Sequence, residues 1–166
     1  MEAVFEPLQG VTSVVSGYAG GTADTANYEI VSSGRTKHAE SVQVNYDPTT
    51  ISYGQLLQVF MNLHHPTEVE GQSPDHGHQY RSAIFFKDEQ QKATAQAYIR
   101  QLEAAKIFDQ PIATALEPLD RFYPAEAYHQ DYVRNHPDHP YVRAWALPKI
   151  EKLRHLYPEL LKRESQ

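Results

Sequence analysis

The 166-residue sequence contains no cysteine. That excludes disulfides, thiolate metal sites and a thiol nucleophile supplied by these residues. It also lacks any apolar run near the roughly 20 residues that cross a bilayer. The opening residues Met1-Glu2-Ala3-Val4-Phe5-Glu6 have neither the basic region nor the apolar stretch of a secretory signal. Positive charge is in deficit: 15 Lys and Arg stand against 21 Asp and Glu, a net charge of −6, so there is no electrostatic footprint for nucleic acid. No internal repeat and no low-complexity segment is present. What remains is 40% hydrophobic and 22% charged, ordinary for a globular chain of one domain and one core. The expectation is a cytoplasmic, monomeric single domain over residues 1–166, with neither membrane nor nucleic acid as partner.

Hydrophobic spacing divides this domain into mixed elements. Val4, Phe5 and Leu8 share a helical face that Pro7 cuts short, and nothing precedes Met1 to cap the helix. Val11 to Tyr18 reads as a strand closed by Gly20-Gly21, and Tyr28 to Ser33 as a short helix ending at Gly34. In His38 to Tyr46, Val42, Val44 and Tyr46 alternate with Ser41, Gln43 and Asn45, a strand with one apolar face. Ser52 and Gln55 have capping-box spacing ahead of Leu56, Leu57, Phe60 and Met61. Pro66 to Gly77 is loop-like, and Ser82 to Phe86 is a short buried strand. Asp88 caps a helix running to about Ile107. A strand at Ile112 to Leu116, a helix at Ala125 to Asn135 and an amphipathic helix from Pro148 through Leu161 complete the prediction. This order gives an α+β fold.

Glu40 carries the most chemical information. It has the parity of Val42, Val44 and Tyr46, so its carboxyl faces the apolar side of its strand. Burial raises a carboxyl pKa, and an acid held neutral near pH 7 is a proton donor. The structural alternative is a strand-end Glu reaching solvent or pairing with Arg35, and position alone leaves both open. Of 11 tyrosines, Tyr28 and Tyr80 lie in polar surroundings where a phenol can donate to a substrate oxygen, although a tyrosine more commonly packs. Nine histidines include His64-His65, His76 and His78, and a second group of His129, His136 and His139. None has the two-His helical spacing of a zinc site, so no metal is assigned and a metal-dependent hydrolase is the weakest reading.

The motifs also assemble in register. Gly17-Tyr18-Ala19-Gly20-Gly21, Asn27-Tyr28-Glu29-Ile30-Val31 and Ser33 to Glu40 come first, followed by Asp47-Pro48 with Ile51-Ser52-Tyr53. Asp75-His76-Gly77-His78-Gln79-Tyr80-Arg81-Ser82 and Phe122-Tyr123-Pro124-Ala125-Glu126 with Tyr128-His129-Gln130 complete the set. Together they resemble the class A peptide methionine sulfoxide reductases from about residue 1 to the last helix. The resemblance implies a ferredoxin-like two-layer sandwich with a small mixed sheet, helices packed on it and a C-terminal helical extension. It implies reduction of methionine S-sulfoxide, free or in proteins, with no cofactor beyond an external thiol reductant such as thioredoxin. By the same resemblance a cysteine thiolate attacks sulfur, Glu40 protonates the departing oxygen, Tyr28 and Tyr80 hydrogen-bond it, and Asp75 and His129 bind substrate.

The departures are as specific. The family's Gly-Cys-Phe-Trp-Gly type of motif falls immediately before Met1, so the nucleophile, its aromatic walls and the strand leading into them are expected upstream, and the chain as given is expected to be inactive. Ser32 stands where some members have cysteine, Lys37 where glycine is usual, and His65 where many have Asp. A non-catalytic methionine-sulfoxide-binding module is the alternative.

Overall fold

The computed structural model describes residues 1–163. In chain order the main elements are α1 (Glu2–Phe5), β1 (Val11–Ala19), α2 (Tyr28–Val31), β2 (Ala39–Tyr46), α3 (Tyr53–Leu63), β3 (Gly71–Gln72), β4 (Asp75–His76) and β5 (Ala83–Phe86). They continue with α4 (Glu89–Ala104), β6 (Ala115–Pro118), β7 (Phe122–Pro124), α5 (Tyr132–Asn135) and α6 (Leu147–Leu156). The fold is α+β. Its strands fall into a three-stranded antiparallel sheet, β2-β1-β7, a parallel pair, β5-β6, and a small hairpin, β3-β4. The antiparallel and parallel pairings expected of one mixed sheet therefore sit in separate pieces.

Register follows the apolar alternation. Val14 faces Val44, Ser16 faces Val42 and Tyr18 faces Glu40 across β1 and β2. Val14, Val42, Val44 and Tyr46 pack against a core built from Val4, Phe5 and Leu8 of the first turn, Leu56 and Val59 of α3, and Leu153 of α6. Helices thus cover one face of the sheet, and Glu40 shares that face by parity. The capping box forms as its spacing predicts: Ser52 accepts from the Gln55 N–H at 3.1 Å and Gln55 returns the bond to the Ser52 N–H at 2.9 Å. A second cluster of Leu57, Ile84 and Ala95 joins α3, β5 and α4. No helix is long and apolar enough to cross a membrane among the described residues.

Several boundaries differ from the sequence reading. The strand expected at 112–116 lies at Ala115–Pro118, and β7 was not anticipated. The helix expected at 125–135 is broken into a 3-10 turn, Ala127–His129, and α5, because Asp131 adopts a left-handed conformation at φ 53. Its N–H donates to Glu2 at 3.0 Å, a tertiary bond that holds this costly geometry. The last helix begins earlier, in a π-helical stretch Val142–Ala146, and stops at Leu156 rather than Leu161. Pro158 opens a separate turn, after which Leu161 bridges Leu8 and the Lys162 N–H donates to the Pro7 carbonyl at 2.8 Å.

The hinge between β1 and β2 is set by His38, whose ring is fully buried. Its Nδ1 accepts from the Gly21 N–H at 3.2 Å and its Nε2 contacts the Thr22 carbonyl at 3.0 Å. These two bonds assign the neutral tautomer with the proton on Nε2. Gly20 turns at φ +97, and a Cβ on Gly21 would stand 2.4 Å from His38 Cδ2. Gly21→Ala is therefore expected to destabilise the fold by about 1–3 kcal/mol, the usual range for overpacking. Urea denaturation checks this, and a loss below half the lower bound would mean that the ring yields freely.

Candidate active site

A cleft of about 1380 Å³ runs between β2 and β5. Tyr28, Glu40, Asp75, Tyr80 and His129, the five residues singled out in the sequence, all line it, together with Met1, Tyr141, Trp145 and Lys149. They arrive from separate elements: Tyr28 opens α2, Glu40 is the second residue of β2, Asp75 opens β4, and Tyr80 closes the 3-10 turn His78–Tyr80.

Local structure explains each placement. Asn27 caps α2 by accepting from the Ile30 N–H at 3.0 Å, which fixes the turn carrying Tyr28. Buried Gln79 donates to the Ser32 carbonyl at 3.3 Å and so ties the Tyr80 turn to that same helix. Arg81 joins the two sheets at this end. Its guanidinium forks onto Glu117 of β6 at 3.0 and 3.1 Å, and donates to the Lys37 carbonyl at 3.0 Å, just ahead of β2.

Glu40 is open to solvent through the mouth of the cleft yet walled by protein on most sides. Desolvation pushes its carboxyl up to about 7, and the negative charge of Asp75 adds to the effect. No Arg or Lys lies within ion-pair distance of it among the described residues, so the alternative pairing with Arg35 is not formed. Tyr80 is pushed up to about 12 by desolvation and by the charges of Glu40 and Asp75, so its phenol stays a hydrogen-bond donor at neutral pH. Asp75 accepts a 2.5 Å bond from the Tyr141 hydroxyl. Burial holds the Lys149 ammonium below its ordinary value, against the opposing pull of Asp75 and Glu68.

Tyr28 is 41% exposed and is positioned from behind. Its ring lies 4.6 Å from that of His129, and its N–H donates to Glu126 at 3.1 Å. Glu126 also accepts from Tyr18 at 3.1 Å and Tyr128 at 3.3 Å, with His129 Nε2 at 3.5 Å, an ion-pair contact rather than a formed hydrogen bond. Desolvation opposes ionisation of Glu126, but the donors from Tyr28 and Tyr18 outweigh it and hold the carboxyl below its usual range. Glu126 and Tyr141 were not singled out in the sequence. Glu126 lay inside a quoted motif without a role, and Tyr141 meets Asp75 across 66 residues, a contact no local pattern carries.

The histidines do not gather into a ligand set among the described residues. Glu2, Glu6 and Asp131 do come together. Their oxygens are engaged by Ser16, the Asp131 N–H and Arg134. His64 is buried and neutral, lowered to about 4 by desolvation, with Nε2 2.6 Å from Ser82 Oγ, which in turn meets Thr114 at 2.7 Å.

The chain was compared with known proteins by family, sequence and fold. The model of the peptide methionine sulfoxide reductase family matches residues 1–160. The chain belongs to that family. It is 53% identical to peptide methionine sulfoxide reductase MsrA 2 of Synechocystis sp. over 99% of this chain and 78% of that protein. It is 49% identical to MsrA of Haloquadratum walsbyi over 96% and 91%. Among solved structures, reduced Mxr1 of Saccharomyces cerevisiae superposes with a TM-score of 0.71 at 33% identity, covering 78% of this chain and 74% of that one. Methionine sulfoxide reductase A of Corynebacterium diphtheriae gives 0.70 at 33%, covering 82% and 69%. The members of this family are enzymes, and their reaction is the reduction of methionine sulfoxide.

The raised carboxyl makes a stability prediction. In the unfolded chain Glu40 ionises near its ordinary 4.5, whereas in the fold it holds its proton to about 7. Between these values the native state binds more protons, so ionisation costs stability progressively as pH rises through the window. Glu40→Gln should therefore gain stability relative to the parent between pH 4.5 and 7.5 and show little difference below it. Chemical denaturation across that range, with carboxyl titration by NMR, checks both. A Glu40 titration midpoint near 4.5 would remove the desolvated proton.

Proposed function

We propose that the cleft is the sulfoxide-binding and proton-donating part of a methionine S-sulfoxide reductase site, acting on free and protein-bound methionine sulfoxide. The observation that carries this is a carboxyl with a pKa near 7 lining the same cleft as two phenols. A sulfoxide oxygen is a strong acceptor without a proton. Tyr28 and Tyr80 are suited to donate to it, and Glu40 to transfer its proton as the sulfur–oxygen bond weakens. Asp75, fixed by Tyr141, seats the substrate's backbone N–H groups, and His129 positions Tyr28.

In the complete reaction a thiolate attacks sulfur, oxygen leaves the methionine with the proton of Glu40, and the products are methionine and a sulfenic acid on the attacking sulfur. Two further thiol equivalents, of the kind a thioredoxin supplies, return the sulfenic acid to thiol, with water and a disulfide as products. The 166 residues hold no thiol, so the attacking sulfur has to be supplied from outside them. The same absence favours a second reading, binding of methionine sulfoxide without turnover.

Three measurements separate these readings. With methionine S-sulfoxide and dithiothreitol, the 166-residue chain should show no turnover, while NMR shifts at Tyr28, Glu40 and Tyr80 report binding. Extension by the family's upstream strand and cysteine motif should give turnover of the S epimer alone. In that extended protein Glu40→Gln should lose about 10²- to 10⁴-fold in rate with little change in binding. Turnover by the cysteine-free chain, or an extended Glu40→Gln protein within a few-fold of its parent, would overturn the mechanism.

A further inference from the structure

A second recess, of about 490 Å³, adjoins the cleft at Tyr28. Its walls are Asn27, Tyr28, Glu29 and Ser32 of the α2 turn, with Glu126 and Tyr128 opposite them in sequence. Tyr28 is the one residue that lines both the cleft and the recess. No residue of α1, β2 or β5 lines the recess, so its shape comes from two short segments, 27–32 and 126–128.

Two features of these walls have no use in the sulfoxide chemistry. The first is aromatic. Tyr128 is 61% exposed, the most exposed tyrosine of the chain, and its ring stands at 87° to that of Tyr28 with centroids 6.4 Å apart. His129 packs against both rings, at 4.6 and 4.3 Å, and does not line the recess, so the two rings are held from outside it. The second feature is charge. Glu29 and Glu126 line the recess, and no lysine, arginine or histidine does. Neither carboxylate pairs with a lysine or arginine among the described residues. Desolvation opposes ionisation of Glu126, yet the Tyr28 N–H and the Tyr18 hydroxyl donate to it and keep it charged. Both donors are neutral, so they hold the charge without cancelling it. A neutral or acidic occupant would leave that charge unanswered. A guanidinium answers both features: it is planar and weakly hydrated, stacks on an aromatic face and donates along its edge to carboxylates. An ammonium is a compact, strongly hydrated point charge and matches the rings less well.

We propose that this recess is a guanidinium subsite, which takes the side chain of an arginine flanking methionine sulfoxide in a protein substrate, stacked on the tyrosines and bonded to Glu29. Tyr28 joins the two sites: its hydroxyl serves the sulfoxide in the cleft, and its ring is a wall of the recess, so neighbouring residues of one substrate reach both. The placing of the oxidised methionine rests on the sulfoxide reading, whereas the affinity of the recess for a guanidinium does not. The subsite favours methionine sulfoxide in basic stretches of a protein over the same residue in neutral or acidic ones.

The test uses the isotope-labelled 166-residue chain and two pairs of probes, read by NMR titration. The first pair is N-acetyl-arginine N-methylamide and its citrulline counterpart, in which a neutral urea of nearly the same shape replaces the guanidinium. The arginine probe should shift the amides of 27–32 and 126–128 saturably, and the citrulline probe should not. The second pair is a short capped peptide with arginine on both sides of methionine S-sulfoxide, and the same peptide with citrulline in those places. The arginine peptide should bind about fivefold tighter or more, the combined effect of a ring face and a carboxylate at a half-open site. Glu29→Gln should cut that ratio to less than half. Glu103→Gln removes the same charge from an exposed position of α4 and should keep the ratio of the parent. Should neither peptide shift Glu40 or Tyr80 while the arginine probe still binds at 27–32, the sulfoxide reading fails and the guanidinium site stands. Equal binding of arginine and citrulline in either pair, arginine shifts confined to other segments, or a ratio that Glu29→Gln leaves unchanged would each overturn the proposal.

Discussion

The Arg81 guanidinium holds the molecule together at the end where its chemistry is gathered. A planar fork can satisfy a carboxylate and still spare a donor for a carbonyl, which a lysine ammonium on its single stem cannot do with the same geometry. Here the fork lies on Glu117 of the parallel pair and the spare donor reaches the Lys37 carbonyl beside the antiparallel sheet. Lys37 is followed by His38, whose buried ring fixes the Gly20-Gly21 turn, and two residues later comes Glu40. The chain leading out of Arg81 in the other direction is the turn that carries Tyr80. One side chain thus ties the strand that bears Glu40 to the turn that bears Tyr80, and both residues line the same cleft.

That architecture explains the electrostatics. The Arg81 cation is engaged by Glu117, and Glu40 meets desolvation and the charge of Asp75. A guanidinium free to turn toward Glu40 would lower its pKa and make the carboxyl a poor acid at neutral pH. The Glu126 hub is the opposite case: several donors converge on one carboxylate, keep it ionised and hold the turn that bears Tyr28. Two carboxyls of the same chain are driven apart in acidity, one by desolvation and a neighbouring negative charge, the other by the donors that converge on it.

Much of this was legible in the sequence where the information is local. Alternation around Val42 and Val44 gave the facing of Glu40, and the spacing of Ser52 and Gln55 gave the start of α3. Features fixed by distant partners were not legible. β7 is three residues long and exists because Phe122 to Pro124 lie against Ala19 to Gly17. The helix read through Ala125 to Asn135 breaks at Asp131 because Glu2, far away in sequence, captures its N–H. The last helix was read through Leu161 since Tyr157 keeps the apolar spacing, yet Tyr157 packs in the same core from outside the helix. Apolar periodicity reports which residues are buried, and a core can be reached by more than one backbone path.

The pairing of residues 160–162 with the turn after α1 has a mechanical meaning. The Gln9 N–H donates to the Leu160 carbonyl and the Lys162 N–H to the Pro7 carbonyl, with Gln9 Nε2 on the Leu161 carbonyl at 2.6 Å. The far end of the chain is therefore a clamp on the first helix, and Met1 and Phe5 of that segment are walls of the cleft. Three hydrogen bonds therefore fasten residues 160–162 to the chain between Pro7 and Gln9, directly after the segment that walls the cleft.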